Sequence, residues 1–290
     1  EGHLKVQISI DTVGGVQQVV DAKCTGTLFR GFESILKGRD PKDAAYLTQR
    51  ICGVCPVSHG IAANKALERA VKLTVPTDAR ILRNLVQGAN FLQSHILHFY
   101  LLASLDYITP PPSAPWTPSW NVDLMRNSTK LQQIAKNFTT AVAMRREAHE
   151  MAAIFGGRMP APPAFQAGGF TTKPTSGMIK SFASYLNRLS SFIYDNYVPD
   201  VQLLQSIYSD YSHIGKGPGN LLSYGVFDLD DTNNPGKLLK SGLVYNSAPT
   251  GVQPVSTSGI TEQVTYSWYA DSTNNLNPAS GSTVTVDPAV

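Results

Sequence analysis

The chain is poor in cysteine, in net charge and in unbroken apolar stretches, and each shortage removes a class of protein. Only three cysteines occur in 290 residues, Cys24, Cys52 and Cys55, and two of them share one motif. They do not build a disulfide framework. Lys and Arg number 24 against 21 Asp and Glu, a net charge of +3 with the signs scattered rather than blocked, and that balance does not indicate nucleic acid. No apolar run reaches the roughly 18 to 20 residues of a membrane-crossing helix. The opening Glu1-Gly2-His3-Leu4 is not a signal peptide, and there are no internal repeats. The glycine-rich stretch from Gly215 to Asn220 lacks the order of a phosphate loop and reads as a turn. The length suffices for a large core and one or two domains.

Against this background the run Arg50-Ile51-Cys52-Gly53-Val54-Cys55-Pro56-Val57-Ser58-His59 stands out. A CxxC pair at a turn entering a helix aims two sulfurs at one point, and the positive helix end and a nearby arginine favour anionic sulfur there. Anionic sulfur suits soft transition metals. A thioredoxin-like redox site, half of a zinc ribbon and two buried structural thiols share the same bare motif. The first wants a strand leading into the motif, whereas Pro41 to Arg50 reads as helical. The second wants another short-spaced pair of ligands, and none occurs.

Hydrophobic periodicity predicts an α+β, predominantly helical fold: a core of long bundled helices with an N-terminal β-hairpin and small peripheral strands. Leu4, Val6, Ile8 and Ile10 alternate with polar residues, and Gly14-Gly15 turns the chain back, so residues 1–25 read as a hairpin with one buried face. The helical core spans 40–211. Asp40-Pro41 opens a short helix, and a second carries His59 through Leu73. From Pro76 to Asp106 the apolar steps of three and four make a helix of about eight turns. The proline cluster Pro110 to Pro118 reads as a loop, Ser128 starts a helix that runs to Gly156-Gly157, and Met159 to Gly169 is another loop. A third long helix holds Met178, Phe182, Tyr185, Leu189 and Phe192, and the pattern changes after Pro199. Segment 212–290 reads as irregular, with short strands near Gly225 to Leu229, Leu243 to Tyr245 and Val264 to Tyr269, and a tail from Asp271. The whole is read as a single domain.

Several other residues carry readings of their own. His59 is a metal ligand, a donor that orients a ligating sulfur, or a core histidine. His95 and His98, in the apolar helix, read as buried, hydrogen-bonded imidazoles. Glu33 lies in Leu28-Phe29-Arg30-Gly31-Phe32-Glu33, where burial would demand Arg30 or a hard cation such as magnesium as partner. Glu1 reads as a simple exposed terminal residue, and Arg145-Arg146 with Glu147 and Glu150 as a solvated helix face.

Taken together, these segments resemble the large subunit of nickel-iron hydrogenases. The likeness is carried by Glu1-Gly2-His3-Leu4, Phe29 to Glu33, Leu36 to Pro41, Gln49 to His59, His98-Phe99-Tyr100 with Leu105-Asp106, and Phe155 to Pro160, in that order along the chain. The resemblance implies that Cys52 is a terminal nickel ligand, that Cys55 bridges nickel and iron, and that His59 sits beside the bridging sulfur. It implies carbon monoxide and cyanide on the iron, a magnesium ion at Glu33, and Glu1 as the group that takes protons from a cysteine at the metals. The implied reaction is heterolytic, reversible oxidation of dihydrogen. Electrons would pass to iron-sulfur clusters in a small partner subunit, in a heterodimer or a dimer of heterodimers, since this chain has too few cysteines for clusters of its own. The implied place is the periplasmic face of a membrane, reached only through partners, with the cytoplasm as the alternative. The family's second motif, DPCxxCxxH, is absent, which implies a fragment. Position 94 is serine where some members carry aspartate. A non-catalytic relative that keeps fold and partner interface without metal is the competing reading, and the presence of both Cys52 and Cys55 speaks for the enzyme.

Overall fold

A computed structural model describes residues 3–108 and 128–214 and most of those from 216 to 277. The chain divides into two compact units, Glu1–Asp40 with Pro254–Val290, and Pro41–Gln253. The architecture is α+β and mostly helical, as the periodicity predicts. The proline cluster at 110–118 and the tail beyond 277 lie outside the described residues.

In the first unit β1 (Leu4–Val13) and β2 (Val16–Gly26) pair antiparallel from Leu4↔Gly26 to Val13↔Val16, with one register shift at Ser9/Ile10. Gly14 and Gly15 form the turn at φ +61° and +84°. Positive φ at both central residues matches the twist of a tight hairpin and is open to glycine at no steric cost. The expected buried face is a miss: Leu4, Val6, Ile8 and Ile10 are between 51% and 65% exposed. Alternation tells only which residues share a face, and a two-stranded ribbon supplies no second layer to cover it. A short helix, α1 (Phe32–Leu36), follows.

The second unit begins with α2 (Ala44–Thr48) and α3 (Pro56–Val71), which starts at the proline after Cys55. Helix α4 (Thr77–Ile96) runs on through a widened π turn, Leu97–Ala103, and a 3-10 turn, Ser104–Asp106. The expected eight-turn helix is therefore present as a continuous rod that changes winding near its end. Its buried positions Ala79, Leu82, Val86, Ala89, Gln93 and Ile96 step by three and four, the stripe that a core-facing helix presents. Helix α5 (Ser128–Gly156) lies along α4, with Leu131, Ile134, Ala141, Ala148 and Met151 buried between the rods. Gly156 is small because Pro162 packs on it: a Cβ there would meet the proline ring at 2.9 Å.

Within the expected loop at 159–169 the chain makes a small hairpin, β3 (Phe165–Gln166) with β4 (Gly169–Phe170). Two residues per strand are too few for a period to show in sequence. Helix α6 (Ser176–Phe192) is capped by Thr175, whose Oγ1 accepts from Met178 N at 3.3 Å. Pro199 does not end the helical run. A π turn, Ile193–Tyr197, leads into α7 (Val198–Ile207), and proline in a first turn removes only an N–H that the widened turn leaves without a regular partner. Two more antiparallel pairs follow, β5 (Leu221–Ser223) with β8 (Gly242–Val244) and β6 (Val226–Asp228) with β7 (Lys237–Leu239). Strands β6 and β8 fall where the sequence places them, β5 and β7 are additional, and most of 264–269 lies outside the described residues.

Buried polar clusters lock the rods, among them those around Asp200 and Arg83. Asp200, 2% exposed, accepts from Tyr100 Oη at 2.7 Å and Asn137 Nδ2 at 2.8 Å, tying the π turn, α5 and α7 together. Burial and that carboxylate push the Tyr100 phenol far above its ordinary range. Arg83 on α4 pairs with Glu68 on α3 at 2.6 Å and donates to the carbonyls of Gln166 and Gly169 at 2.7 and 2.9 Å. Glu68 Oε1 in turn accepts from Gly168 N at 2.8 Å. Both side chains of the pair are under 8% exposed. Breaking a buried pair leaves an unpaired charge and here also two carbonyls without a donor. Arg83→Met is expected to destabilise the protein by about 3–5 kcal/mol, read as a lowered denaturant midpoint; a midpoint equal to that of the parent would contradict the clamp.

Candidate metal centre

The CxxC loop connects α2 to α3. Helix α3 has Cys55 at its cap position and Pro56 in its first turn, so the loop meets the end of the helix whose N–H groups lack helical acceptors. None of the three cysteines is in a disulfide: Cys52 is buried, Cys55 half-buried and Cys24, on β2, exposed. Cys55 N donates to Cys52 Sγ at 3.3 Å, which folds the loop so that the first sulfur sits over the head of the helix. The expected proximity of the two cysteines is thus present.

Packing around the loop is tight. A Cβ on Gly60 would meet Gln49 Nε2 at 2.9 Å, so the backbone of α3 approaches the residue just before Arg50 closely. Arg50 donates to the carbonyl of Tyr46 and stacks its guanidinium 3.5 Å from the centre of that ring. His59, half-buried one turn into α3, donates its backbone N–H to Cys55 O at 3.5 Å, and its carbonyl accepts from Thr48 Oγ1 at 3.4 Å.

From the far side α4 and α5 reach the loop. Gln93, fully buried, donates from Nε2 to Val54 O at 2.6 Å, and its Oε1 faces His149 Nε2 at 3.1 Å. Burial first, then the charge of Arg145, holds the His149 imidazole below its ordinary pKa and so favours its uncharged form. Sequence reading passed over both residues. The available signal was a glutamine on the buried stripe of α4, flanked at steps of four and three by Ala89 and Ile96.

Other expected sites fare differently. His95 and His98 are exposed, not buried; His95 Nδ1 bonds to Phe91 O at 2.9 Å, and the α4 stripe turns both imidazoles outward. The basic face of α5 is only partly solvated: Arg146 pairs with Glu150 at the surface, Glu147 pairs with Arg188, and Arg145 Nε is buried. Glu33, in the other unit, is exposed and accepts from Tyr269 Oη at 2.6 Å, so its expected burial does not hold. Glu1 lies outside the described residues. Among the described residues no three His, Cys, Asp or Glu side chains converge as a complete metal-binding group. The loop offers two sulfurs, a donor set suited to a soft metal but short of a full coordination shell.

Comparison with known proteins gives this loop its setting. The profile of the nickel-dependent hydrogenase family matches residues 30–128 and 113–287. The periplasmic [NiFeSe] hydrogenase large subunit of Desulfomicrobium baculatum is 43% identical over 252 residues, covering 84% of this chain and 48% of that protein. Hydrogenase-2 large chain of Escherichia coli K12 is 27% identical over 330 residues, covering 93% and 57%. The structure of the Ni-Fe-Se hydrogenase from D. vulgaris Hildenborough superposes with a TM-score of 0.91 at 38% identity, over all of this chain and 59% of that one. The chain thus spans about half the length of the curated relatives it matches. With the family profile matching most of its residues and a relative 43% identical over 84% of its length, the chain belongs to the nickel-dependent hydrogenase family.

Proposed function

We propose that the chain is about half of the large subunit of a nickel-iron hydrogenase and that its CxxC loop supplies half the ligands of the metal centre. The observation that carries this reading is the loop itself: two cysteine sulfurs, neither in a disulfide, folded about one peptide at the head of α3 in a chain of this family. Cys52 would be a terminal nickel ligand and Cys55 the bridge between nickel and iron. The remaining ligands belong to polypeptide outside these 290 residues, in keeping with relatives about twice as long.

Such a centre, with carbon monoxide and cyanide on its iron, supplies heterolytic cleavage of dihydrogen, in either direction. The protein's own groups handle the proton. A cysteine sulfur accepts it, and the Glu1 carboxylate takes it onward. His59, one turn along α3 from Cys55, orients the bridging sulfur. Glu33 is a hard oxygen donor suited to magnesium. Electrons require a partner with iron-sulfur clusters, because three cysteines, two of them committed to the CxxC loop, cannot hold even one four-cysteine cluster.

No helix among the described residues is long and apolar enough to cross a membrane. The relative named as periplasmic supports a periplasmic location, with membrane contact made through partner subunits.

Two measurements on the full-length protein check this function. Metal analysis is expected to find nickel and iron together, with infrared bands of bound carbonyl and cyanide. Cys52→Ala and Cys55→Ala are each expected to bring nickel to background and to abolish hydrogen-dependent dye reduction while the helical circular dichroism persists. Undiminished nickel in both variants would contradict the assignment of the ligands.

A further inference from the structure

The peptide unit between Val54 and Cys55 is hydrogen-bonded at both ends. Its N–H donates to Cys52 Sγ at 3.3 Å, and its C=O accepts from Gln93 Nε2 at 2.6 Å. The second hydrogen on Gln93 Nε2 faces Asn90 Oδ1 at 3.4 Å, so two acceptors set the orientation of the amide. Gln93 Oε1 is then an acceptor, and the ring nitrogen 3.1 Å from it, His149 Nε2, carries the hydrogen.

These bonds form one directed line. His149 Nε2–H donates to Gln93 Oε1, Gln93 Nε2–H donates to Val54 O, and Cys55 N–H donates to Cys52 Sγ. An amide whose oxygen accepts a hydrogen bond becomes a better donor at its nitrogen, an effect of about 10–30% per bond in condensed phase. Two amides in succession, one from a side chain and one from the backbone, pass that polarisation the same way, and both Gln93 and the sulfur at the end are buried. A glutamine serving only to fill space would have no need to face an acceptor on either side and a donor behind it.

We propose that Gln93 and His149 are positioning residues for Cys52: acting through the Val54–Cys55 peptide, they fix the rotation of the loop between the two sulfurs and draw electron density from Cys52 Sγ. Neither side chain hydrogen-bonds to the sulfur itself. The proposal rests on the reading of Cys52 as a nickel ligand and names a control on the electron richness of that ligand from helices α4 and α5, outside the CxxC motif.

The test is the infrared spectrum of the full-length, metal-loaded enzyme carrying Gln93→Leu, His149→Phe or His149→Gln. Weakening the N–H···S bond leaves the sulfur a stronger donor to nickel, so the carbonyl band is expected at lower wavenumber. The shift should be largest in Gln93→Leu, smaller and of the same sign in His149→Phe, and reversed toward the parent position in His149→Gln, whose amide can again donate to Gln93. Loss of packing alone would not order the three variants in this way. Carbonyl and cyanide bands unmoved in Gln93→Leu and His149→Phe, with nickel content equal to the parent, would overturn the proposal. Should Gln93→Leu fail to accumulate folded protein, the band position in His149→Phe against His149→Gln decides. Absence of nickel and of these bands from the unsubstituted enzyme would instead overturn the functional reading beneath it.

Discussion

Two sulfurs can serve one metal centre only if the backbone between them holds still, and in this chain that duty falls on a single peptide. The Val54–Cys55 unit is bonded to Cys52 Sγ on one side and to the Gln93 amide on the other, so it cannot turn without losing both partners. Three helices of the second unit support that loop. Helix α3 gives it a fixed end at Cys55 and Pro56. Helix α4 brings Gln93 under it, α5 brings His149 behind Gln93, and the Glu68–Arg83 clamp fixes α3 against α4 at the other end of α3. A site whose ligands come from a loop is only as well defined as the rigid elements behind it, and here three helices stand behind two residues.

The polar groups of the core follow the same logic. A buried amide, carboxylate or guanidinium is costly unless its hydrogen-bonding capacity is met, and the clusters around Asp200, Arg83 and Gln93 meet most of it with partners on different helices. Each cluster therefore specifies how two or three rods sit against one another, which apolar packing by itself leaves freer. The α4 stripe, mostly apolar but with Gln93 set into it, combines both functions in one helix face.

Much of this was legible in the sequence, for identifiable reasons. Helices α4 to α6 announce themselves by apolar steps of three and four, and the first hairpin by alternation about Gly14-Gly15, since those periods are imposed by the geometry of the backbone. The sulfur loop was legible because cysteine is scarce and its spacing unusual. The strands β3 and β4 were not, because two residues carry no period, and β5 and β7, built on leucine, lack the β-branched and aromatic residues that mark β6 and β8. The burial of the first hairpin was misjudged since alternation says which residues share a face, not what covers it. His95 and His98 were misplaced because an apolar helix still has an outward side. Gln93 and His149 escaped notice because a polar residue on a core stripe becomes meaningful only when its partner, thirty-nine residues away at Val54, is brought beside it. The family resemblance, by contrast, needed no three-dimensional information, since it rests on six separate segments in order.

The account stands or falls on whether the sulfurs of Cys52 and Cys55 are bonded to nickel. Nickel-edge X-ray absorption on the full-length protein addresses that bond without relying on turnover. The account predicts a sulfur shell around nickel in the parent and the loss of sulfur scattering, or of nickel altogether, when both cysteines are replaced by serine. A nickel environment with the same number of sulfur neighbours before and after that replacement would contradict it.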